Sequence, residues 1–126
     1  MRRKLGMTSI LIVDDEPSIR QIISTLLTLE GYTVTTASDG RAALTQILAA
    51  PPDVVISDVR MPHMSGCELL TAIRAHPTLD AIRFILLTSF VDESPETVTA
   101  AASADACISK PFTRQVMLNT LRTLIV

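Results

Sequence analysis

Short runs rich in β-branched residues alternate with longer stretches of helical period, and this confines the chain to layered α/β architectures built on a parallel sheet. Ser9 to Val13, Thr33 to Ala37, Val54 to Ser57, Phe84 to Thr88 and Ala106 to Ser109 read as strands. The first, third and fourth are apolar almost throughout, as parallel strands covered on both faces are. Thr33-Val34-Thr35-Thr36 is more polar and suits a sheet edge. Between the strands, Ile19, Ile22, Ile23, Leu26 and Leu27 form an apolar helical stripe, with Pro17 at its start and Gly31 just past its end. A second helix from Arg41 to Leu48 stops before Pro51-Pro52, and a third opens on Ser65-Gly66-Cys67-Glu68, the spacing of a capping box. The fourth, Pro95 to Ala102, is mostly alanine, threonine and valine; with little apolar area to anchor it, it is expected to be the loosest. The last presents Met117, Leu118, Leu121, Leu124 and Ile125.

With 126 residues, 48% of them hydrophobic, the chain has material for one core, so residues 9–126 are expected to form a single domain after a frayed tail at 1–8. Eleven Lys and Arg against thirteen Asp and Glu leave a net charge of -2, without the basic excess of a phosphate-backbone binder; direct nucleic-acid binding is not expected. No apolar run approaches the roughly 20 residues that span a bilayer. Cys67 and Cys107 stand far apart with no metal-binding or disulfide spacing, which suits a reducing, cytoplasmic setting.

In an open parallel sheet, ligands bind beyond the carboxyl ends of the strands. Asp14 and Asp15 follow the first strand, Asp58 the third, Thr88 ends the fourth and Lys110 follows the fifth. Taken singly, Asp14-Asp15-Glu16 reads equally well as helix N-terminal carboxylates, and Lys110 as a solvated lysine. Jointly they read as a site. Carboxylates that close repel by about 1 to 4 kcal/mol per pair at 4 Å, so a cation is called for. Few hard oxygen ligands and no histidine favour Mg²⁺, with Mn²⁺ as a substitute, over zinc or a redox metal. His63 and His76 read as surface residues. A magnesium ion beside a free carboxylate, a lysine and a hydroxyl suits phosphoryl transfer, with Asp58 as the nucleophile because Asp14 and Asp15 are adjacent and suit metal holding.

The chain resembles the receiver domains of bacterial two-component response regulators from Ser9 to Val126. The resemblance is carried by Ile12-Val13-Asp14-Asp15-Glu16, by Gly31-Tyr32 with Ala37, Gly40, Ala43 and Leu44, and by the run from Asp53 to Met64 and Gly66. Leu86-Leu87-Thr88-Ser89 and Lys110-Pro111-Phe112 complete it. It implies a flavodoxin-like (βα)₅ fold with strand order 2-1-3-4-5. It also implies an aspartyl phosphate on Asp58, and Mg²⁺ held by Asp15, Asp58 and the backbone carbonyl of Arg60, with Asp14 acting through water. Lys110 then pairs with the phosphoryl group, Thr88 supplies a mobile hydroxyl, and the Lys110-Pro111 bond is cis. The implied partners are a histidine kinase or histidine phosphotransfer domain and a downstream effector protein or fused domain, the receiver itself being a monomer or a weak phosphorylation-dependent dimer. No turnover enzyme is implied.

Two positions depart from the family pattern. Cys107 stands where a Tyr or Phe rotamer switch is usual, and Ser89 replaces a smaller residue after the threonine. Cys107 is expected to be a small buried hydrophobe, leaving the stretch from Phe90 to Ala104 to carry the signal. Arg60 and Phe90, two beyond the aspartate and two beyond the threonine, are expected with Ser89 to crowd the hydrolytic water and prolong the phosphoryl lifetime. Three rival readings fit less well. A haloacid-dehalogenase-type phosphohydrolase would need an acid where Asp58-Val59-Arg60 has arginine, and a docking-only receiver has no need of the intact acidic set. A nucleotide or flavin site would meet repulsion from Asp14-Asp15-Glu16.

Overall fold

The structure, a computed structural model, describes residues 8–89 and 94–125. Its elements run β1 (Ser9–Val13), α1 (Pro17–Leu29), β2 (Thr33–Ala37), α2 (Gly40–Ala49), β3 (Val54–Asp58), α3 (Gly66–Ala75), β4 (Arg83–Thr88), α4 (Pro95–Ser103), β5 (Ala106–Ser109) and α5 (Arg114–Ile125). The strands are all parallel, in the order β2-β1-β3-β4-β5, the flavodoxin-like arrangement that the motifs imply. The polar β2 is an edge, and β3 and β4 each extend one residue beyond their sequence-read bounds, to Asp58 and back to Arg83.

Alternation along the three central strands divides the core between the two sheet faces. Leu11, Val13, Val55, Phe84 and Leu86 pack with residues of α2, α3 and α4, while Ile10, Ile12, Val54, Ile56, Ile85 and Leu87 pack with residues of α1 and α5. Helix starts follow their caps. Ser65 Oγ accepts from Glu68 N at 3.1 Å while Glu68 Oε1 accepts from Ser65 N at 2.9 Å, so α3 opens on the capping box read from sequence. Gly31 carries the positive φ of 96° that turns the chain out of α1, a conformation that strains residues bearing a Cβ.

Two expectations about side-chain burial fail. In α1 only Ile23 and Leu27 are buried and Ile19 and Leu26 half-buried, whereas Ile22 is 59% exposed. The helix meets the sheet with a narrow stripe, and Ile22 falls on its flank. Cys107 is exposed rather than buried. It pairs in register with Leu86 on the α3/α4 face, but β5 is the outer strand, and the buried residues of α4 are only Thr97 and Ala100, too small to reach across it.

The far end of α3 is tied down by one arginine. Arg74 Nη1 donates to the carbonyls of Asp80 at 3.1 Å and Ile82 at 2.7 Å, Nε to that of Ser103 at 3.3 Å, and Nη2 to Asp105 Oδ2 at 2.7 Å. Asp105 Oδ2 also accepts from Phe84 N at 2.7 Å, so one carboxylate joins α3, the start of β4 and the turn into β5. Charge-assisted bonds of this kind contribute about 1.5 to 3 kcal/mol, an exposed ion pair far less. Asp105→Ala is therefore expected to lower the unfolding free energy in urea by about 2 kcal/mol. Arg83→Ala removes only a 3.5 Å ion pair from a side chain 55% exposed and should cost under about 0.5 kcal/mol. Equal losses would contradict this assignment.

Candidate functional site

Strand register gathers the polar residues. Val13 pairs with Ser57, so the next residues, Asp14 and Asp58, emerge side by side. Asp58 pairs with Leu87 and Thr88 with Ser109, which puts Thr88 and Lys110 one step further along the same edge. Carboxylate oxygens of Asp14, Asp15 and Asp58 all lie within 4.8 Å of one another. Asp14 and Asp58 are buried and Asp15 is exposed, so the cluster has a dry floor and an open rim.

Each buried carboxylate is held by its own backbone. Asp14 Oδ1 accepts from Glu16 N at 2.9 Å, and Asp58 Oδ1 accepts from Val59 N at 2.9 Å. Lys110 Nζ lies 2.9 Å from Asp58 Oδ1 and 3.8 Å from Asp14 Oδ2. Lys110 thus pairs with two of the three carboxylates. Asp14 Oδ2 is buried without a hydrogen-bond partner, and at 3.8 Å the lysine is beyond hydrogen-bonding reach. An acceptor left so beside two further carboxylates fits a small divalent cation with hard oxygen ligands. Asp14, Asp15 and Asp58 are the residues able to hold one.

Burial is the largest influence on Asp14 and pushes its pKa up from the ordinary 3.8; the Glu16 N–H opposes this, Asp58 and Asp15 add to it and Lys110 subtracts. At Cys107, partial burial raises the thiol pKa, so the exposed sulfur is not a ready thiolate.

Sequence reasoning missed three supports. Arg20 Nη1 donates to the Asp14 carbonyl at 2.7 Å, fixing the turn out of β1 from the first turns of α1. Ser57 Oγ donates to the Asp58 carbonyl at 2.9 Å. Gly66, noted only as part of a motif, sits so close to that carbonyl that a Cβ there would collide with it; the α3 N-terminus is pressed onto the Asp58 backbone. The apolar run before Asp58 gives no hint of the serine's bond, and Arg20 reads as a surface position of a helix.

The remaining candidates fall as follows. Thr88 and Ser89 are half-buried at the end of β4, and the Thr88 carbonyl accepts from Lys110 N at 2.7 Å. The Lys110-Pro111 bond is cis. Arg60 is exposed and lines a pocket of about 330 Å³ with Met61, Ser65 and Glu96. Cys107, exposed on β5, is not among the residues of the cluster. Phe90, and with it the first part of the stretch expected to carry the signal, lies outside the described residues. His63 and His76 are exposed, as read.

The model of the response regulator receiver domain matches residues 10–122. The chain belongs to this family. Its relatives include the transcriptional regulatory protein KdpE of Mycobacterium tuberculosis, 39% identical over 119 residues that cover 94% of this chain and 51% of that protein. The chain thus spans about half the length of such curated relatives. Among solved structures, the chemotaxis response regulator CheY4 of Vibrio cholerae superposes with a TM-score of 0.84 at 39% identity, covering 94% of this chain and 98% of that one. TrrA of Thermotoga maritima, in complex with Mg²⁺ and BeF, gives 0.83 at 33% identity, covering 94% and 99%. Among the described residues of this receiver, no helix is long and apolar enough to cross a membrane.

The raised pKa of Asp14 has a defined sign. The folded receiver holds that proton more tightly than the unfolded chain, so stability falls as pH rises from the ordinary value of 3.8 through the higher folded one. In chelator at neutral pH, Asp14→Asn is expected to raise the melting temperature by roughly 3 °C or more and to flatten its decline above about pH 4. A lower melting temperature, with the decline unchanged, would contradict the charge-repulsion reading.

Proposed function

We propose that this receiver accepts a phosphoryl group on Asp58 from a histidine kinase or histidine phosphotransfer domain, and changes its surface to control an effector protein or fused domain. The observation that carries the reading is the Lys110 ammonium 2.9 Å from Asp58 Oδ1 inside a cluster of three carboxylates. A carboxylate oxygen of Asp58 attacks phosphorus, the P–N bond to the donor histidine breaks and the imidazole leaves. The Val59 N–H and the Lys110 ammonium orient the attacking carboxylate. Lys110 then neutralises charge on the transferred phosphoryl oxygens, and the Thr88 hydroxyl turns toward them. Mg²⁺ bound by Asp15, Asp58 and the Arg60 carbonyl, with Asp14 acting through water, would supply the remaining positive charge that the incoming phosphate needs; Mn²⁺ is an acceptable substitute. The Thermotoga relative solved with Mg²⁺ and BeF supports that choice.

Arg60 stands two beyond the nucleophile, where a haloacid-dehalogenase-type phosphatase has its general acid, and this supports reading the chain as a switch with slow self-hydrolysis rather than a phosphatase. A cytoplasmic setting and a monomer, or a weak dimer formed on phosphorylation, complete the reading. Incubation with acetyl phosphate and Mg²⁺ should give one phosphoryl adduct by intact mass, absent in chelator and in Asp58→Asn. An adduct formed equally in chelator, or mapped to Asp14 or Asp15, would overturn the assignment.

We also read Arg60 as a residue that lengthens the lifetime of that adduct, because it lies two positions beyond Asp58 with its side chain exposed. Arg60→Asn is expected to speed autodephosphorylation several-fold, followed by loss of adduct mass with time. An unchanged rate would remove arginine from this role.

A further inference from the structure

A groove of about 560 Å³ runs between α3 and α4, on the side of the sheet away from α1 and α5. That volume is within the range of ligand and anchor-residue pockets. Its walls look polar in sequence and are apolar in effect. Thr71 Oγ1 donates to the Cys67 carbonyl at 3.0 Å, Thr99 Oγ1 to that of Pro95 at 2.9 Å and Ser103 Oγ to that of Ala100 at 3.3 Å. Each lining hydroxyl thus spends its proton on its own helix, leaving methyl and methylene groups beside Ala72 and Ala100 to form the surface.

Two lining groups are charged, Glu68 and Glu96. Both lie in the first turns of their helices, which run back across the same sheet face from the end that carries Asp58, so the two carboxylates share one end of the groove. Glu68 uses Oε1 in its capping box, and neither carboxylate is in an ion pair among the described residues. At the other end, the Arg74 bonds to the Ser103 carbonyl and to Asp105 fix the spacing of the helices, so the groove is a formed feature of the fold.

We propose that this groove is a docking site for a partner-protein segment that places a large apolar side chain between α3 and α4 and an adjacent Arg or Lys against Glu68 and Glu96. The charge complementarity selects the occupant. An acidic segment or an anionic lipid surface would meet two carboxylates, and a neutral apolar segment would leave them without a counter-charge. The groove shares no residue with the acidic cluster at the sheet end.

The test uses the full chain and a synthetic helical peptide with leucines on one face flanked by arginines, followed by amide chemical shifts. Shifts centred on Cys67, Thr71, Ala72, Thr99 and Ser103 are expected. The double variant Glu68→Gln, Glu96→Gln retains the capping-box geometry and should weaken binding about tenfold, equivalent to about 1.4 kcal/mol. Asp80→Asn, an exposed acid away from the groove, should not weaken it. Thr99→Trp fills the groove from an exposed position and should abolish binding with the fold intact. The same peptide with glutamates in place of arginines should not bind. Shifts centred elsewhere, equal binding of the glutamate peptide, equal weakening by Asp80→Asn, or unchanged binding to Thr99→Trp would each overturn the proposal.

Discussion

The site is organised by an unbalanced charge. Among the described residues, three carboxylates with oxygens within 4.8 Å of one another are met by the Lys110 ammonium, at the end of a sheet whose neighbouring strands leave two of those carboxylates out of water. Such an arrangement is unfavourable on its own, and the surrounding structure holds it in place. The Glu16 and Val59 amides each hold a carboxylate oxygen, Arg20 and Ser57 pin the carbonyls of Asp14 and Asp58, and Gly66 lets α3 press against the second of these. Each contact comes from an element anchored by an apolar core on one face of the sheet, so the core's stability holds the charges together.

The same packing explains why α3 matters to more than the core. Its first residue touches the backbone of Asp58, its capping glutamate stands at the mouth of the α3/α4 groove, and its last turn carries the arginine that fixes α4 and the turn into β5. Gly66→Ala would disturb the site, and Asp105→Ala the far end of the helix, through one rigid element. A short line of contacts thus joins the Asp58 backbone to the outer surface through α3, and it includes no aromatic ring on β5.

Much of this was legible in the sequence because it rests on local rules. Hydrophobic period placed the five strands, α2 and α4 to within a residue, the capping box marked the start of α3, and the parallel-sheet rule put Asp14, Asp58, Thr88 and Lys110 at one end. What the sequence left out depends on how elements meet. Ile22 has the period of a core residue but lies outside the contact stripe, and Cys107 has the chemistry of a buried residue but sits where α4 is too small to cover it. The roles of Arg20, Ser57 and Gly66 depend on carbonyls distant from any motif logic. The inward-turned hydroxyls of Thr71, Thr99 and Ser103 likewise make an apolar wall from residues that composition counts as polar.

Asp14, Asp15 and Asp58, with the partnerless Asp14 Oδ2 among their oxygens, are able to hold a divalent cation. Calorimetric titration of the metal-free protein with Mg²⁺, with melting temperature followed in parallel, tests it most directly. One cation per chain is predicted, with a linked stabilisation of about 2.7 kcal/mol at a hundredfold excess over Kd and a loss of most of that effect in Asp15→Asn. Absence of binding heat together with an unshifted melting temperature at tens of millimolar Mg²⁺, or an Asp15→Asn variant that binds as well as the parent, would contradict it.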